Sequence, residues 1–270
     1  MKKILFIILM FPFLCHADDF TIGGKRVVVF GESFNIGSIT AANPAVVTCS
    51  GGSELVTNGD CESALPTMNG VSLSSAFSVT PSQSADTAYS GTKSMKLTCF
   101  ATSTVAGVYF LNSVLCGVDN GYWQHVSTWV YIPSGQGITS VKLSIRDSVF
   151  NYYDLDSTST TDTWVELTGN FLANNHDRIV YIRFYAANTN GLYIYTDDLS
   201  VKPIHNLIAG ERVILQTSET SINNNVYRVS SINSGTGDIM LGADFHGLVS
   251  PVSGGKIANA AAWNKKIVNF

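Results

Sequence analysis

The chain has 270 residues, with 16 Lys and Arg against 20 Asp and Glu, a formal net charge of −4. That balance, without any basic stripe, excludes nucleic acid as a partner. Only 13% of residues are charged, and β-branched and aromatic stretches alternate with Gly, Asn and Ser turns, the pattern of an all-β extracellular protein.

The first element is a leader. Lys2 and Lys3 precede an apolar run that ends at Ala17, before Asp18 and Asp19. This is the layout of a secretory signal peptide over 1–17, too short to span a bilayer. Residues 18–270 are then an exported chain, secreted or held at the cell surface, with no membrane span.

Strands follow in order. "KRVVVFG" at 25–31, "AVVTC" at 45–49, "SMKLTCF" at 94–100 and "GVYFLNSVL" at 107–115 come first. Next are "YWQHVSTWVYI" at 122–132, "SVKLSIRDSV" at 140–149, "TWVELTGNF" at 163–171, "RIVYIRFYAA" at 178–187 and "LYIYTDDLSV" at 192–201. "ERVILQ" at 211–216, "VYRVSSI" at 226–232 and "DIMLG" at 238–242 close the series, ahead of a tail at 258–270 with no assigned role. Many short strands separated by turn residues predict a sandwich or barrel.

Alternation separates the two faces of each strand. Val126, Val130 and Ile132 oppose Trp123, His125, Trp129 and Tyr131; Val141, Leu143 and Ile145 oppose Lys142, Ser144 and Arg146. Val180, Ile182 and Phe184 oppose Tyr181, Arg183 and Tyr185. The aliphatic faces belong in a core. A face of rings and arginines left outside calls for a partner.

Outside the leader the cysteines are Cys49, Cys61, Cys99 and Cys116. An even number in an exported chain predicts two disulfides, with three connectivities open; four buried thiols is the other reading.

"LVTNGDCES", "SGTKSMKLT", "STWVYIPSG", "TWVELTGNF" and "LYIYTDDLSV" together resemble the carbohydrate-binding modules of families four and nine, over residues 53–204. Cys61 stands where that family has Phe, and Leu199 where it often has Val. The resemblance implies a jelly-roll β-sandwich. It also implies a structural calcium, with Asp60 and Glu62 from the opening motif and Asp197 and Asp198 from the closing one; a hard cation takes several such oxygens. Finally it implies a glycan ligand, stacked on rings and held by hydrogen bonds. The candidate contacts are Trp123, His125, Trp129, Tyr131, Arg146, Tyr181, Arg183 and Tyr185. Trp164 and Tyr193 match structural positions of the family and are left out.

"ITAANPAVVTC" at 39–49 resembles the start of a small β-module of phage tail proteins, whose second half is matched by "HNLIAGERVIL", "INNNVYRVSSIN" and "DIMLG" within 205–242. This implies a second, smaller β domain of 18–52 plus 205–257, split by the jelly-roll. A domain whose ends lie close together is tolerated inside a host loop.

An enzyme is not expected. Ser33 in "RVVVFGESFNIG" faintly resembles the nucleophile block of Gly-Asp-Ser esterases, but the later blocks of that family are missing. No nucleophile elbow, zinc helix or phosphate loop is present. The expected function is glycan recognition by an exported, non-catalytic protein. The alternative is a structural or adhesive part of a virion or cell surface, whose jelly-roll makes protein contacts.

Overall fold

A strand with one apolar and one polar face must bury the apolar one, and the chain does so in two separate units. The computed structural model describes residues 33–40, 44–68, 71–76, 78–110, 122–146, 151–173, 179–217, 225–242 and 252–259. The leader at 1–17, the strand predicted at 25–31, Cys116 and the tail beyond 259 lie outside the described residues.

Nineteen strands run through the described residues. They are β1 (Ser33–Ile39), β2 (Ala45–Cys49), β3 (Val56–Thr57), β4 (Thr67–Met68), β5 (Val71–Ala76), β6 (Val79–Ser84), β7 (Ser94–Cys99), β8 (Val105–Phe110), β9 (Tyr122–Tyr131) and β10 (Ile138–Arg146). Then come β11 (Tyr152–Thr158), β12 (Trp164–Ala173), β13 (Ile179–Ala186), β14 (Tyr193–His205), β15 (Arg212–Gln216), β16 (Val226–Ile232), β17 (Ile239–Leu241), β18 (Val252–Ser253) and β19 (Lys256–Asn259). Among the described residues there is no helix, and so none long and apolar enough to cross a membrane.

One unit takes its described residues from the chain up to Ser50, from Leu207–Asn233 and from Asp238 onward. Its sheet runs β18-β1-β19-β15-β16-β17-β2, and β2 pairs back onto β1. Six strands therefore close into a ring, which removes the open edges that would otherwise recruit other chains. Phe34, Ile36, Val47, Val213, Leu215, Val229, Ile239 and Ile257 are buried. Ser33 is a strand residue here, paired with Ala258.

The other unit is Gly51–Asn206 with Ser234–Gly237. It is a β-sandwich of jelly-roll type. One antiparallel sheet has the order β12-β9-β14-β7-β6, the other β11-β10-β13-β8-β5-β4-β3. The aliphatic residues picked out by alternation meet in one core: Val126, Val130, Val141, Leu143, Ile182 and Phe184 are all buried in it. The start and end of the unit run side by side. Gly52 N–H donates to the Pro203 carbonyl at 2.6 Å and Leu55 N–H to that of Val201 at 2.9 Å. The Glu54 carboxylate accepts from Val201 N–H at 2.8 Å and Ser200 Oγ at 2.6 Å.

The opening motif is shaped by this closure. Asn58 and Cys61 take left-handed backbone, φ 56° and 58°, and between them Gly59 lies against the last strand, its carbonyl accepting from Leu199 N–H at 3.0 Å. The tight turn puts the Cys61 side chain into the core, fully buried.

Disulfides were expected among four cysteines; among the described residues Cys49, Cys61 and Cys99 form none. Each sits in its own packed environment. Cys99 Sγ lies 3.3 Å from the Ala101 carbonyl and from Thr189 Oγ1, and Cys61 Sγ faces the Gly59 carbonyl at 3.8 Å. Burial, and then the charge of Asp238, pushes the Cys49 thiol up to about 12. A thiol raised in this way stays protonated, and Cys49 behaves as a small apolar side chain.

Candidate functional site

The eight candidate contacts do not share one surface. Trp123, His125, Trp129 and Tyr131 are on β9, in the five-stranded sheet; Arg146 is on β10 and Tyr181, Arg183 and Tyr185 on β13, in the seven-stranded sheet. The core occupies the inner face of both sheets, so the two sets occupy opposite outer faces.

On the five-stranded sheet, Trp164, Tyr131, Tyr195 and Lys96 form one rung across four strands. Tyr131 is tilted 49° to Trp164 and 66° to Tyr195, so these rings make no flat platform. One face of Trp129 is covered by Tyr89, 3.7 Å away and 9° from parallel. Trp123 is 6% exposed, with Gly237 packed on its indole. His125 Nδ1 is bonded to Asn170 Oδ1 at 2.6 Å. Lys96 lies 4.2 Å from the Tyr193 ring centre and pairs with Asp86 at 3.0 Å.

On the seven-stranded sheet, rings and ions interleave. Tyr181 is 2% exposed, packed by Tyr109 at 5.3 Å, edge-on by Tyr152 at 5.1 Å, and by the Arg146 guanidinium at 5.4 Å. Burial pushes its hydroxyl above the usual tyrosine range. Arg183 is 7% exposed. Its Nη2 donates to Asp154 Oδ1 at 2.6 Å and Ser144 Oγ at 2.8 Å, and its guanidinium lies 4.3 Å from the Tyr152 ring centre. Lys142 Nζ donates to the other Asp154 oxygen at 2.5 Å and lies 5.3 Å from the Tyr185 ring. Gly107 is opposite Arg183 in the ladder; a Cβ there would lie 2.9 Å from the Arg183 Cα, so only glycine lets the arginine backbone this close.

Asp154 is the hub. Burial alone would raise its carboxyl, but hydrogen bonds from Lys142 and Ser144 and the Arg183 charge outweigh it and hold the group below the usual carboxylate range. Asp154, Tyr152 and Tyr109 are absent from the sequence-derived set. The first two lie on β11, whose polar run "YYDLDST" predicts no strand. The signal that could have found them is the pairing of Tyr152 and Asp154, two apart on one face, opposite Arg146 and Ser144. Rings with apolar faces, flanked by fixed donors and acceptors, are suited to holding a pyranose.

The four carboxylates do gather. Asp197, Asp60, Asp198 and Glu62 all add to burial in pushing the Cys61 thiol up to about 12. Oxygens of Glu62, Asp197 and Asp198 nevertheless point to N–H and hydroxyl groups of the 89–93 loop, and Asp60 Oδ1 accepts from Glu62 N–H at 3.4 Å. Glu62 Oε1 accepts from Thr92 N–H at 2.6 Å and Lys93 N–H at 2.7 Å, and Oε2 from Thr92 Oγ1 at 2.8 Å. Asp197 Oδ2 accepts from Tyr89 N–H at 2.9 Å and Ser90 N–H at 3.2 Å; Asp198 Oδ1 accepts from Ser90 Oγ at 2.9 Å. Among the described residues no three His, Cys, Asp or Glu are placed to hold a metal ion. The concentration of negative charge suits a hard cation; the directions of the oxygens do not form a ligand set.

No protein-family model matches the sequence, and no curated protein does either. Solved structures similar to the chain include carbohydrate-binding modules and chains of glycoside hydrolases. The CBM22-1 xylan-binding domain from Paenibacillus barcinonensis Xyn10C is 17% identical, with a TM-score of 0.42, over 50% of this chain and 87% of that one. The C-terminal family 22 module of Clostridium thermocellum Xyn10B is 17% identical, with a TM-score of 0.44, over 55% and 94%. A family 16 carbohydrate-binding module is 17% identical, with a TM-score of 0.39, over 54% and 98%. The likeness to families four and nine, and that to phage tail modules, rests on the sequence motifs alone.

Proposed function

We propose that the sandwich is a non-catalytic glycan-binding module of an exported protein, and that the glycan lies on the outer face of the seven-stranded sheet. The observation that carries this is the Tyr109–Tyr181–Tyr152 cluster interleaved with Arg146, Arg183, Lys142 and Asp154 on one face. Tyr152, 37% exposed, and half-buried Tyr185 are the rings open to a sugar. Arg183 and Asp154 fix their positions from below. Of the eight contacts expected from sequence, Arg146 and Tyr185 are the ones this reading keeps at the ligand, while Tyr181 and Arg183 support them.

The test is binding of the full chain to a panel of soluble polysaccharides that includes xylan. Saturable binding is expected, weakened about tenfold by Tyr152→Ala, the worth of one stacked ring. Unchanged affinity in both Tyr152→Ala and Tyr185→Ala would move the ligand off this face.

A structural calcium at Asp60, Glu62, Asp197 and Asp198 belongs to the same proposal; its support is the like charge gathered around Cys61, and binding would require carboxylates to leave their present N–H and hydroxyl donors. A bound ion raises Tm by mass action. Calcium at millimolar concentration is expected to raise the melting temperature by a few degrees over the chelated protein; superimposable melting curves remove the ion from the account.

One observation favours the structural or adhesive alternative. The tilted rings Trp164, Tyr131 and Tyr195 form a knobbed surface, better matched to side chains of a protein partner than to a flat sugar ribbon. Loss of partner capture in Tyr89→Ala, with polysaccharide binding absent throughout, would establish it.

A further inference from the structure

We infer that the β6–β7 loop is a clasp: its backbone amides take the place of a cation among Glu62, Asp197 and Asp198, and in doing so they lay Tyr89 on Trp129. This goes beyond the calcium proposal, since it concerns the chain with no ion bound; an ion would have to displace the loop.

Carboxylates brought together repel, and each needs a positive partner to stay charged. Here the partners are N–H groups taken in neighbouring pairs. Tyr89 and Ser90 N–H both donate to Asp197 Oδ2, at 2.9 and 3.2 Å. Thr92 and Lys93 N–H both donate to Glu62 Oε1, at 2.6 and 2.7 Å. Successive amides aimed at one oxygen make a backbone anion site. Gly91 stands between the two pairs with φ 60°. A Cβ there would lie 2.4 Å from Glu62 Oε1, so the second pair closes on its carboxylate only over glycine. Hydroxyls complete the set, Ser90 Oγ on Asp198 and Thr92 Oγ1 on Glu62, and Lys93 Nζ donates to the Glu62 carbonyl at 3.2 Å. Among the described residues no backbone-to-backbone bond reaches 89–93, so it is through these acids that the segment is tied down.

The same bonds fix the ring. Asp197 and Trp129 are direct partners across the β14–β9 ladder, so both side chains leave the sheet on its outer face. Asp197 holds the backbone of Tyr89, and the Tyr89 ring comes down on Trp129, 3.7 Å away and 9° from parallel. Its edge contact with Trp164, at 6.2 Å and 64°, closes the other side. A hard cation takes oxygen ligands, and an N–H offers none. Whatever draws Asp197 off these amides therefore frees Tyr89 from Trp129 and reshapes the outer face of the five-stranded sheet.

The full chain is followed in chelator and in millimolar calcium, by melting, by hydrogen exchange of the 89–93 amides and by oxidation of Trp129 mapped by mass spectrometry. In chelator it is expected to melt cooperatively, with the Tyr89, Ser90, Thr92 and Lys93 amides protected. Glu62→Gln keeps the shape of the acceptor and removes its charge. It is expected to speed exchange at Thr92 and Lys93 about tenfold, the difference between a charged and a neutral acceptor, and to lower Tm by about 3 °C. Gly91→Ala is expected to lower Tm by more than Gly135→Ala, where a Cβ meets nothing within 4 Å, and to speed oxidation of Trp129. A higher Tm in Glu62→Gln overturns the clasp, because repulsion among the carboxylates then dominates. Unprotected amides in chelator overturn it as well. So does a chain that folds only with calcium, a result that leaves the calcium proposal standing. Equal oxidation of Trp129 in Gly91→Ala and the unaltered chain overturns the link to Tyr89. Protected amides with no response to calcium remove the ion and support the clasp.

Discussion

Replacing Asp154 by alanine is expected to destabilise the sandwich by about 3 kcal/mol and to abolish ligand binding with it. Arg183 is almost fully buried and has Asp154 as its carboxylate partner at 2.6 Å. Removing one member of a buried pair leaves an uncompensated charge, which costs ~3–5 kcal/mol. The lower end applies because the Asp154 side chain keeps 39% of its exposure, and water moderates the loss. Urea unfolding of the variant measures it. A change below about 1 kcal/mol, the worth of an exposed pair, would mean that Arg183 is solvated. The same group sets an acid limb. Its carboxyl is depressed in the folded state, so the stability it contributes is fully present above the unfolded value near ~3.9 and is lost as pH falls through the lower folded value. That limb should be missing from the pH–stability curve of Asp154→Ala.

Gly59→Ala is the second large effect. The glycine passes so close to the last strand that a Cβ would lie 2.0 Å from the Leu199 carbonyl oxygen. That oxygen belongs to backbone and cannot swing aside, so the strands must part at the point where the domain closes. The expected cost is about 3 kcal/mol, the upper range for overpacking. Gly135→Ala is the control: its φ of 75° is unsuited to a side chain, yet nothing lies within 4 Å, and it should cost only about 1 kcal/mol. If the two variants melt together, the close approach at Gly59 does not exist. The prediction explains why the opening motif has Asn-Gly: Asn58 tolerates left-handed backbone and Gly59 leaves room for Leu199.

Strand positions were largely legible. "AVVTC" and "VYRVSSI" match β2 and β16 residue for residue, and the predicted strand at 122–132 differs from β9 by one. These segments carry period-two patterns of β-branched residues, and such a pattern can bury a face in only one way. What escaped were polar or interrupted strands. β6, "VTPSQS", is a sheet edge, and β11 carries a register shift where it meets Leu143 and Ser144. Edge strands are half solvated, and an extra residue moves the later side chains to the other face, so neither keeps a clean alternation.

The candidate site divides along the same line. By itself the sequence determined an all-β chain and which side of β9, β10 and β13 meets the core, because burial of Val, Ile, Leu and Phe dominates the energetics and alternation records it directly. Tertiary structure decided which sheet each strand joined. That choice depends on hydrogen bonding between segments far apart in the chain, which leaves no local pattern. It sent Trp129 and Tyr131 to one outer face and Arg146 and Tyr185 to the other. It brought Asp154 of an unpredicted strand to Arg183, 29 residues away, and turned three of the predicted calcium carboxylates, Glu62, Asp197 and Asp198, toward N–H and hydroxyl groups of the 89–93 loop.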